Sequence, residues 1–270
     1  MMVGRFGGIP LVVKNLLIIN VIMLFADFVL SSTFNIQLTR IFGLYYYESE
    51  LFEPYQFITH MFMHGGLTHL FFNMFALWMF GRVLESVWGS QRFLIYYFVT
   101  GLGAAALHTF VNYIEISAMV SDSKAFMNTP SPELFTAFIN DHISNPNRQV
   151  FDFITNWTYD PQNQGYITQA IGMVENSLSY KLNIPTVGAS GAVFGVLLAF
   201  GMLFPDTRLM LLFPPIPIKA KYFVIAYGVI ELYLGLTRPG SNIAHFAHLG
   251  GMLFGFILIK YWQRNTRKFF

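Results

Sequence analysis

The stretch "PTVGASGAVFGVLLAFGMLF", from Pro185 to Phe204, places one serine among small residues at the start of an apolar segment. After Ser190 the stretch contains no charged residue. An apolar run of this length is typical of a membrane-spanning helix. A single serine in such a helix is ordinary, so its meaning depends on what the rest of the chain provides.

The composition of the 270 residues is that of a membrane protein. Apolar residues make up 54% of the chain and charged residues only 11%, whereas soluble proteins are about one quarter charged. The net charge of +2 is too small to indicate binding to nucleic acid. The chain has no cysteine, which excludes disulfides, a thiolate nucleophile and a cysteine-ligated zinc site.

Six apolar segments are long enough to be candidate spans. They cover residues 11–30, 57–80, 93–113, 189–205, 219–237 and 243–262. We therefore predict an all-α polytopic membrane protein, a six-helix bundle that forms one domain over residues 1–270. The first segment is too long for a signal-peptide core, and no small-residue cleavage site follows it, so we expect a retained helix.

The basic residues predict the orientation of this bundle. With the N-terminus inside, the inner segments hold 11 of the 16 basic residues: Arg5, Lys14, Arg82, Arg92, Arg208, Lys219, Lys221, Lys260, Arg264, Arg267 and Lys268. The outer segments hold Arg40, Lys124, Arg148, Lys181 and Arg238. By the positive-inside rule both termini are then cytoplasmic. We expect a bacterial inner membrane, because no transit-peptide pattern precedes the first span.

The connection between the third and fourth spans, residues 114–186, is far longer than an ordinary loop. We predict an extramembrane insert that forms a cap or interfacial helices, in which two pieces look helical; the alternative is a plain loop with fraying helices. Ser131 and Pro132 form a typical helix start. A second helix is predicted by apolar residues at spacings of three and four: Ile167, Ala170, Ile171, Val174 and Leu178.

Polar side chains gather near one end of three spans. The second span opens with His60, His64, His69 and Asn73, the fourth with Ser190, and the sixth with His245 and His248. Strongly polar groups inside a span are costly and are therefore functional candidates. In the predicted topology all three spans descend from the outer face, so these groups share one depth.

Glycine pairs predict how the fourth and sixth spans meet. Gly191 and Gly195 are four residues apart, as are Gly251 and Gly255. Such pairs allow two membrane helices to approach backbone to backbone. This crossing would bring Ser190 within reach of a histidine of the sixth span.

The residues at this depth have the chemistry that acyl transfer needs. A histidine can take the proton that makes a serine hydroxyl nucleophilic. His69 and Asn73 share one helix face, and with the backbone N–H of Ser190 they could stabilise an oxyanion. We expect a dyad of Ser190 and His248 rather than a triad, because no acidic residue lies near these segments in the sequence.

We expect two further polar residues, Glu231 and His245, to have roles outside the dyad. Glu231, in the fifth span, is expected to be an isolated buried group that is protonated or paired. His245 offers a competing base, but the spacing of the glycines favours His248, and we expect His245 to line the cavity.

The polar residues belong to longer motifs. These are "HxxxHxxxxHxxxN" at His60, His64, His69 and Asn73, "GASG" at Gly188–Gly191, "AHLGGxxxG" at Ala247–Gly255 and "ESVWGSQRF" at Glu85–Phe93. Together they resemble the rhomboid intramembrane serine proteases. The resemblance covers about 54–113 and 185–260, and its order and spacing are highly specific.

The resemblance implies a six-helix bundle in which Ser190 is the nucleophile and His248 its base. His69 and Asn73 fall on the oxyanion positions, and His64 lies near the site without a catalytic role. The implied partners are single-span membrane proteins, as substrates, and the lipid bilayer, with an active site open to the outer face and no metal or other cofactor. The 114–186 insert departs from the compact members and could cap the site or select substrates.

Parts of the pattern are also compatible with three other functions. The pairs His60/His64 and His245/His248 have spacings that could ligate a metal in a membrane enzyme, but that function leaves Ser190 unexplained. A non-catalytic rhomboid-like protein that binds membrane helices would usually lack the serine or the histidine. A transporter is disfavoured because no inverted repeat is visible.

Overall fold

The computed structural model describes residues 8–210, 215–237 and 244–265. Four of the basic residues used to predict orientation lie outside these ranges, as does the predicted start of the sixth span at residue 243. Those four are Arg5, Arg238, Arg267 and Lys268.

The described chain is mostly helical. In chain order its helices are α1 (Leu11–Phe34), α2 (Leu38–Phe42), α3 (Gln56–Thr59), α4 (Leu67–Ala76), α5 (Arg82–Trp88), α6 (Ser90–Asn128), α7 (Pro132–His142), α8 (Arg148–Tyr159), α9 (Gln164–Leu182), α10 (Ser190–Leu203), α11 (Ala220–Thr237) and α12 (His245–Asn265). A 3₁₀ turn, His60–Phe62, follows α3, and a π-helical turn, Leu77–Gly81, joins α4 to α5. Strands β1 (Arg208–Met210) and β2 (Pro217–Lys219) pair antiparallel before α11.

The predicted all-α polytopic bundle is confirmed, with α1, α4–α5, α6, α10, α11 and α12 in the places of the six spans. Among the described residues, four helical stretches are long and apolar enough to cross a membrane. They are Leu11–Phe34, Leu67–Trp88, Ser90–Asn128 and Ala220–Thr237. Helix α10 has only 14 residues and is largely buried, and it packs between α6 and α12.

The predicted start of the second span is wrong. The spanning helix begins at Leu67 rather than at residue 57. Gly66, just before it, has φ of +140°, a backbone conformation that lies outside the helical region and that glycine adopts readily. His60 and His64 therefore lie in the segment before the spanning helix, and not in its first turns.

The third span is longer than predicted. Helix α6 has 39 residues, which corresponds to about 58 Å at 1.5 Å per residue. A bilayer core is about 30 Å thick. A helix of this length extends well beyond the core, which supports the extramembrane position that we predict for the insert.

The C-terminal part of α6 and helices α7, α8 and α9 enclose a second hydrophobic core. Both predicted insert helices are confirmed as α7 and α9, whereas α8 was not predicted. Ser131 caps α7 by accepting a hydrogen bond from the Leu134 N–H at 3.3 Å. The core consists of Met119, Phe126, Phe135, Phe138, Ile139, Phe153, Trp157, Ala170 and Val174.

Glycines close the main bundle around α10. A Cβ on Gly251 would collide with the carbonyl of Gly191, so α10 and α12 touch backbone to backbone there, as predicted. Gly195 and Gly255 instead allow close contact with a third helix, α6. A Cβ on Gly195 would lie 2.6 Å from the Cβ of Thr100 in α6, and one on Gly255 would collide with Tyr96 of the same helix.

The connections sort into two ends of the bundle. At one end, Leu44 pairs with Thr186, and the Gly188 N–H donates to the His60 carbonyl at 2.9 Å. At the other end, Trp88 contacts Trp262 with ring centres 5.6 Å apart. The segments that we predict to be outside, before α4 and before α10, thus lie at the same end.

Candidate active site

Ser190 is held at the start of α10 by an anchored loop. Gly188, two residues earlier, has φ of +127°, a conformation that L side chains rarely adopt. The backbone of Thr186 is paired with that of Leu44 by hydrogen bonds of 2.8 and 2.9 Å. The first N–H groups of an α-helix have no partner within the helix. The position of Ser190 therefore combines a hydroxyl with backbone donors beside it.

His248, in the first turn of α12, faces this serine. Its Nε2 lies 2.9 Å from the Ser190 Oγ. The imidazole is stacked on Phe194 with ring centres 4.1 Å apart and planes within 4° of parallel. The stacking limits rotation of the ring and so keeps Nε2 directed toward the hydroxyl.

The prediction that no carboxylate lies near His248 is wrong. Glu231 Oε2 lies 2.9 Å from Nδ1 of His248 and accepts a hydrogen bond of 2.6 Å from Nδ1 of His245. The His245 contact has hydrogen-bond geometry, whereas the His248 contact is close but off the hydrogen-bond angles. His245 therefore hydrogen-bonds to Glu231. The expectation that His245 lines the cavity is also wrong, because it is not among the lining residues.

The prediction from the sequence overlooked this carboxylate because Glu231 lies on a different helix from His248. Glu231 is six residues before the end of α11 and His248 is three residues after the start of α12. At 1.5 Å per residue these are depths of about 9 and 5 Å from the same end. Comparing depths along neighbouring helices, rather than distance in sequence, could have paired the two groups.

His69 and Asn73 lie across from α10 on helix α4. The Gly65 N–H donates to Nδ1 of His69 at 3.3 Å, so in the neutral ring the proton is on Nε2 and is available for donation. A Cβ built on Gly188 would lie 3.0 Å from this Nε2, which places it beside the serine loop. Asn73 donates one amide N–H to the His69 carbonyl at 3.0 Å, and its amide has a second N–H.

One cavity of about 1700 Å³ is lined by the side chains of Ser190, His248, His69 and Asn73. Residues of the insert, including His142, Tyr180 and Lys181, form another part of its wall. Typical small-molecule pockets measure about 300–1000 Å³. The cavity is thus large enough for a segment of polypeptide, and a substrate at Ser190 would meet the insert.

Neither of the other two histidines of the motif, His60 and His64, is among the residues that line the cavity. His60 is buried, and its Nδ1 lies 2.8 Å from the Gln56 carbonyl. His64 is buried with its ring centre 5.1 Å from that of His69. Both precede the spanning helix, and burial lowers the pKa of each to about 4. Both rings are therefore neutral near pH 7.

Sequence reasoning also overlooked His108, on α6. Its Nε2 lies 2.9 Å from the Thr186 hydroxyl and 3.2 Å from the Asn112 amide nitrogen. His108 lines the cavity and connects α6 to the loop before Ser190. The signal was available, because His108 and Asn112 are polar residues four apart inside a predicted span.

Within residues 8–210, 215–237 and 244–265, one group of side chains has the composition and spacing of a metal site: Glu231, His245 and His248. Two ligands on a tetrahedral zinc ion with bonds of about 2.0–2.1 Å are about 3.3 Å apart. The carboxylate–imidazole distances of 2.6 and 2.9 Å are shorter. The arrangement is therefore that of direct contact between these groups.

Comparison with known proteins places this site in a family. The model of the family described as Rhomboid domain matches residues 51–119 and 156–264. An uncharacterized mitochondrial rhomboid protein of Schizosaccharomyces pombe is 27% identical over 243 residues, which are 81% of this chain and 55% of that protein.

Two bacterial relatives carry the word protease in their names. The rhomboid protease GluP of Bacillus subtilis is 28% identical over 172 residues, or 56% of this chain and 32% of that protein. The rhomboid protease AarA of Providencia stuartii is 30% identical over 114 residues, or 41% and 40%. The aligned part of the chain spans about half or less of the length of these relatives. Because the family model covers most of the chain, including all four motifs, the chain belongs to the rhomboid family.

Proposed function

We propose that the chain is an intramembrane serine endopeptidase that cleaves transmembrane segments of membrane proteins. The observation that carries the proposal is the 2.9 Å contact between Ser190 Oγ and His248 Nε2 inside a cavity large enough for a peptide. Membership of a family that includes named proteases supports a peptidase.

In the proposed reaction His248 is the general base. Its Nε2 takes the hydroxyl proton as Ser190 Oγ attacks the peptide carbonyl, and the resulting imidazolium later protonates the departing amine. Water, deprotonated by the same nitrogen, then hydrolyses the acyl-serine. The fixed geometry of the ring on Phe194 suits these two transfers, since one nitrogen must both accept and return the proton.

The oxyanion requires donors that are in place before the reaction. We assign this role to His69 Nε2–H, to the free amide N–H of Asn73 and to the backbone N–H of Ser190. The N-terminus of α10 adds the positive end of the helix dipole at the same place. These groups approach the serine from α4 on one side and from α10 on the other.

The substrate class follows from where the site lies. A peptide bond inside a regular helix is shielded by its own side chains, so a membrane helix must locally unwind before Ser190 can attack. Small and helix-weakening residues at the cleavage site would lower that cost. We therefore propose single-span membrane proteins as substrates, with the lipid bilayer as the medium that delivers them.

The protein is an integral membrane protein. Its proposed topology has cytoplasmic termini and a cavity that opens to the outer face. Bacterial inner membrane stays a prediction, because the relatives include proteins named as mitochondrial as well as bacterial proteases.

The experiment uses purified protein in liposomes with a fluorescent single-span membrane protein that carries small residues in its span. We expect cleavage by the unchanged chain and none above background by Ser190→Ala with the same melting temperature. Cleavage by Ser190→Ala would contradict the proposed nucleophile. Two other results would also contradict the proposal. A folded chain that binds the substrate without cutting it would be a helix-binding protein, and cleavage that a chelator abolishes would indicate a metal enzyme.

A further inference from the structure

We propose that Glu231 is a positioning residue for His248, so that the site operates as a triad of Ser190, His248 and Glu231 rather than as a dyad. This inference rests on the proposed function. Glu231 lies outside the four motifs that carry the family resemblance, and it comes from α11, a helix that supplies none of them.

The first argument is the order of atoms. Ser190 Oγ lies 2.9 Å from one nitrogen of the His248 ring, and Glu231 Oε2 lies 2.9 Å from the other. A carboxylate beside Nδ1 favours the tautomer that carries its proton there. Nε2 is then left with a free lone pair, which is the form that can accept the hydroxyl proton.

The second argument is electrostatic. Glu231, His245 and His248 are 8%, 5% and 9% exposed. Among the described residues the ionic partners of the carboxylate are these two histidines. A buried carboxylate is costly when its charge is not compensated. It is compensated best when His248 becomes positive, which happens as Ser190 attacks. The stabilisation is therefore largest in the transition state, as catalysis requires.

The third argument concerns His245. Its Nδ1 donates to the same carboxylate oxygen at 2.6 Å and so fixes Glu231 in place. The Nδ1 of His248 approaches that oxygen outside ideal hydrogen-bond angles. Catalytic hydrogen bonds are often poorly aligned before substrate binds and tighten afterwards. We expect this contact to tighten once the ring is charged.

The main variant is Glu231→Gln, which keeps the size of the side chain and removes its charge. We expect kcat to fall by about 100-fold, within the range that acid–base catalysis contributes, with KM unchanged. Glu231→Asp restores the charge on a shorter side chain, so its kcat should lie between that of the unchanged chain and that of Glu231→Gln. A purely structural role would not be rescued by charge in this way.

The matched control is Glu85→Gln. Glu85 is also a buried carboxylate, but it accepts the Val12 and Val13 N–H groups at 2.9 and 2.8 Å and the Ser90 hydroxyl at 2.7 Å. Removing its charge should lower the melting temperature and leave kcat per folded molecule unchanged.

All variants are compared with Ser190→Ala in the same liposome assay. If Ser190→Ala is inactive while Glu231→Gln keeps the kcat of the unchanged chain, the triad is wrong and the proposed function stands. The triad is equally wrong if Glu231→Gln and Glu85→Gln lose kcat to the same extent. If Ser190→Ala still cleaves, the proposed function itself fails.

Discussion

At the scale of single residues, the site is built from side chains that have few alternative positions. His248 is stacked on Phe194 and lies between Ser190 and Glu231. His69 is oriented by the Gly65 N–H. The sequence motifs pointed to the proposed nucleophile, the proposed base and the candidate oxyanion donors, because each is marked by its spacing along one helix. Glu231 could not be identified in that way. It lies on α11, and no sequence pattern within α11 indicates that this helix packs beside His248.

The two histidines of α12 have separable roles. We expect His248→Ala to abolish cleavage, because it removes the nitrogen that lies 2.9 Å from Ser190 Oγ. His245→Ala should reduce kcat by a smaller factor, since it removes only the group that holds Glu231. Both variants are compared by initial rates at matched amounts of folded protein. The opposite ranking would exchange the roles of the two residues.

Asn73 provides a test of the oxyanion assignment. Asn73→Ala should lower turnover by about 100–1000-fold, as expected for the loss of one donor. Because Asn73 also donates to the His69 carbonyl, His69 could shift as well, and the melting temperature must be measured beside the rate. An unchanged turnover would remove Asn73 from the site.

At the scale of helices, the apolar pattern predicted which segments cross the bilayer better than it predicted where helices end. The second spanning helix begins inside an apolar run, directly after Gly66, because its start depends on the backbone conformation of this glycine and not on hydropathy. Helix α6 continues to Asn128 because backbone hydrogen bonding does not end where the bilayer core does. Helix α8 was overlooked although its sequence carries the signal: Val150, Phe153, Ile154 and Trp157 recur at the spacing of one helix face, and Asn147 caps its start.

The contact of α10 with its neighbours can be tested at one glycine. A Cβ on Gly191 would collide with Ala104 of α6, and the backbone of Gly251 lies against its other side. We expect Gly191→Leu to destabilise the protein by about 1–3 kcal/mol or more, the usual cost of overpacking, and to abolish cleavage by displacing Ser190 from His248.

The control for this variant is Gly172→Leu, in α9. A Cβ at Gly172 would have no atom within 4 Å, and leucine favours a helix interior more than glycine does, so a leucine there should leave cleavage unchanged and should not lower the melting temperature. Thermal melting in detergent and the liposome assay report both quantities. A Gly191→Leu protein that melts and cleaves like the unchanged chain would contradict the close packing of these helices.

At the scale of the whole molecule, the insert and the spanning helices share one cavity. The salt bridge from Lys181 to Glu115, with a 2.9 Å N–O distance, joins α9 to α6, and His142 contacts Asp122 of α6 at 2.8 Å. Residues 120–155 lie outside the matched family model. The cavity therefore combines a site made of family motifs with a wall that lies partly outside the family model, and we propose that this wall contributes to substrate selection.

The measurement that tests the central claim most directly is labelling of the purified protein with a tagged fluorophosphonate, followed by mass spectrometry of the adduct. The claim is that His248 activates Ser190. It predicts one adduct on Ser190 in the unchanged chain and none in His248→Ala. An unlabelled Ser190 in the folded chain, or equal labelling in His248→Ala, would contradict it.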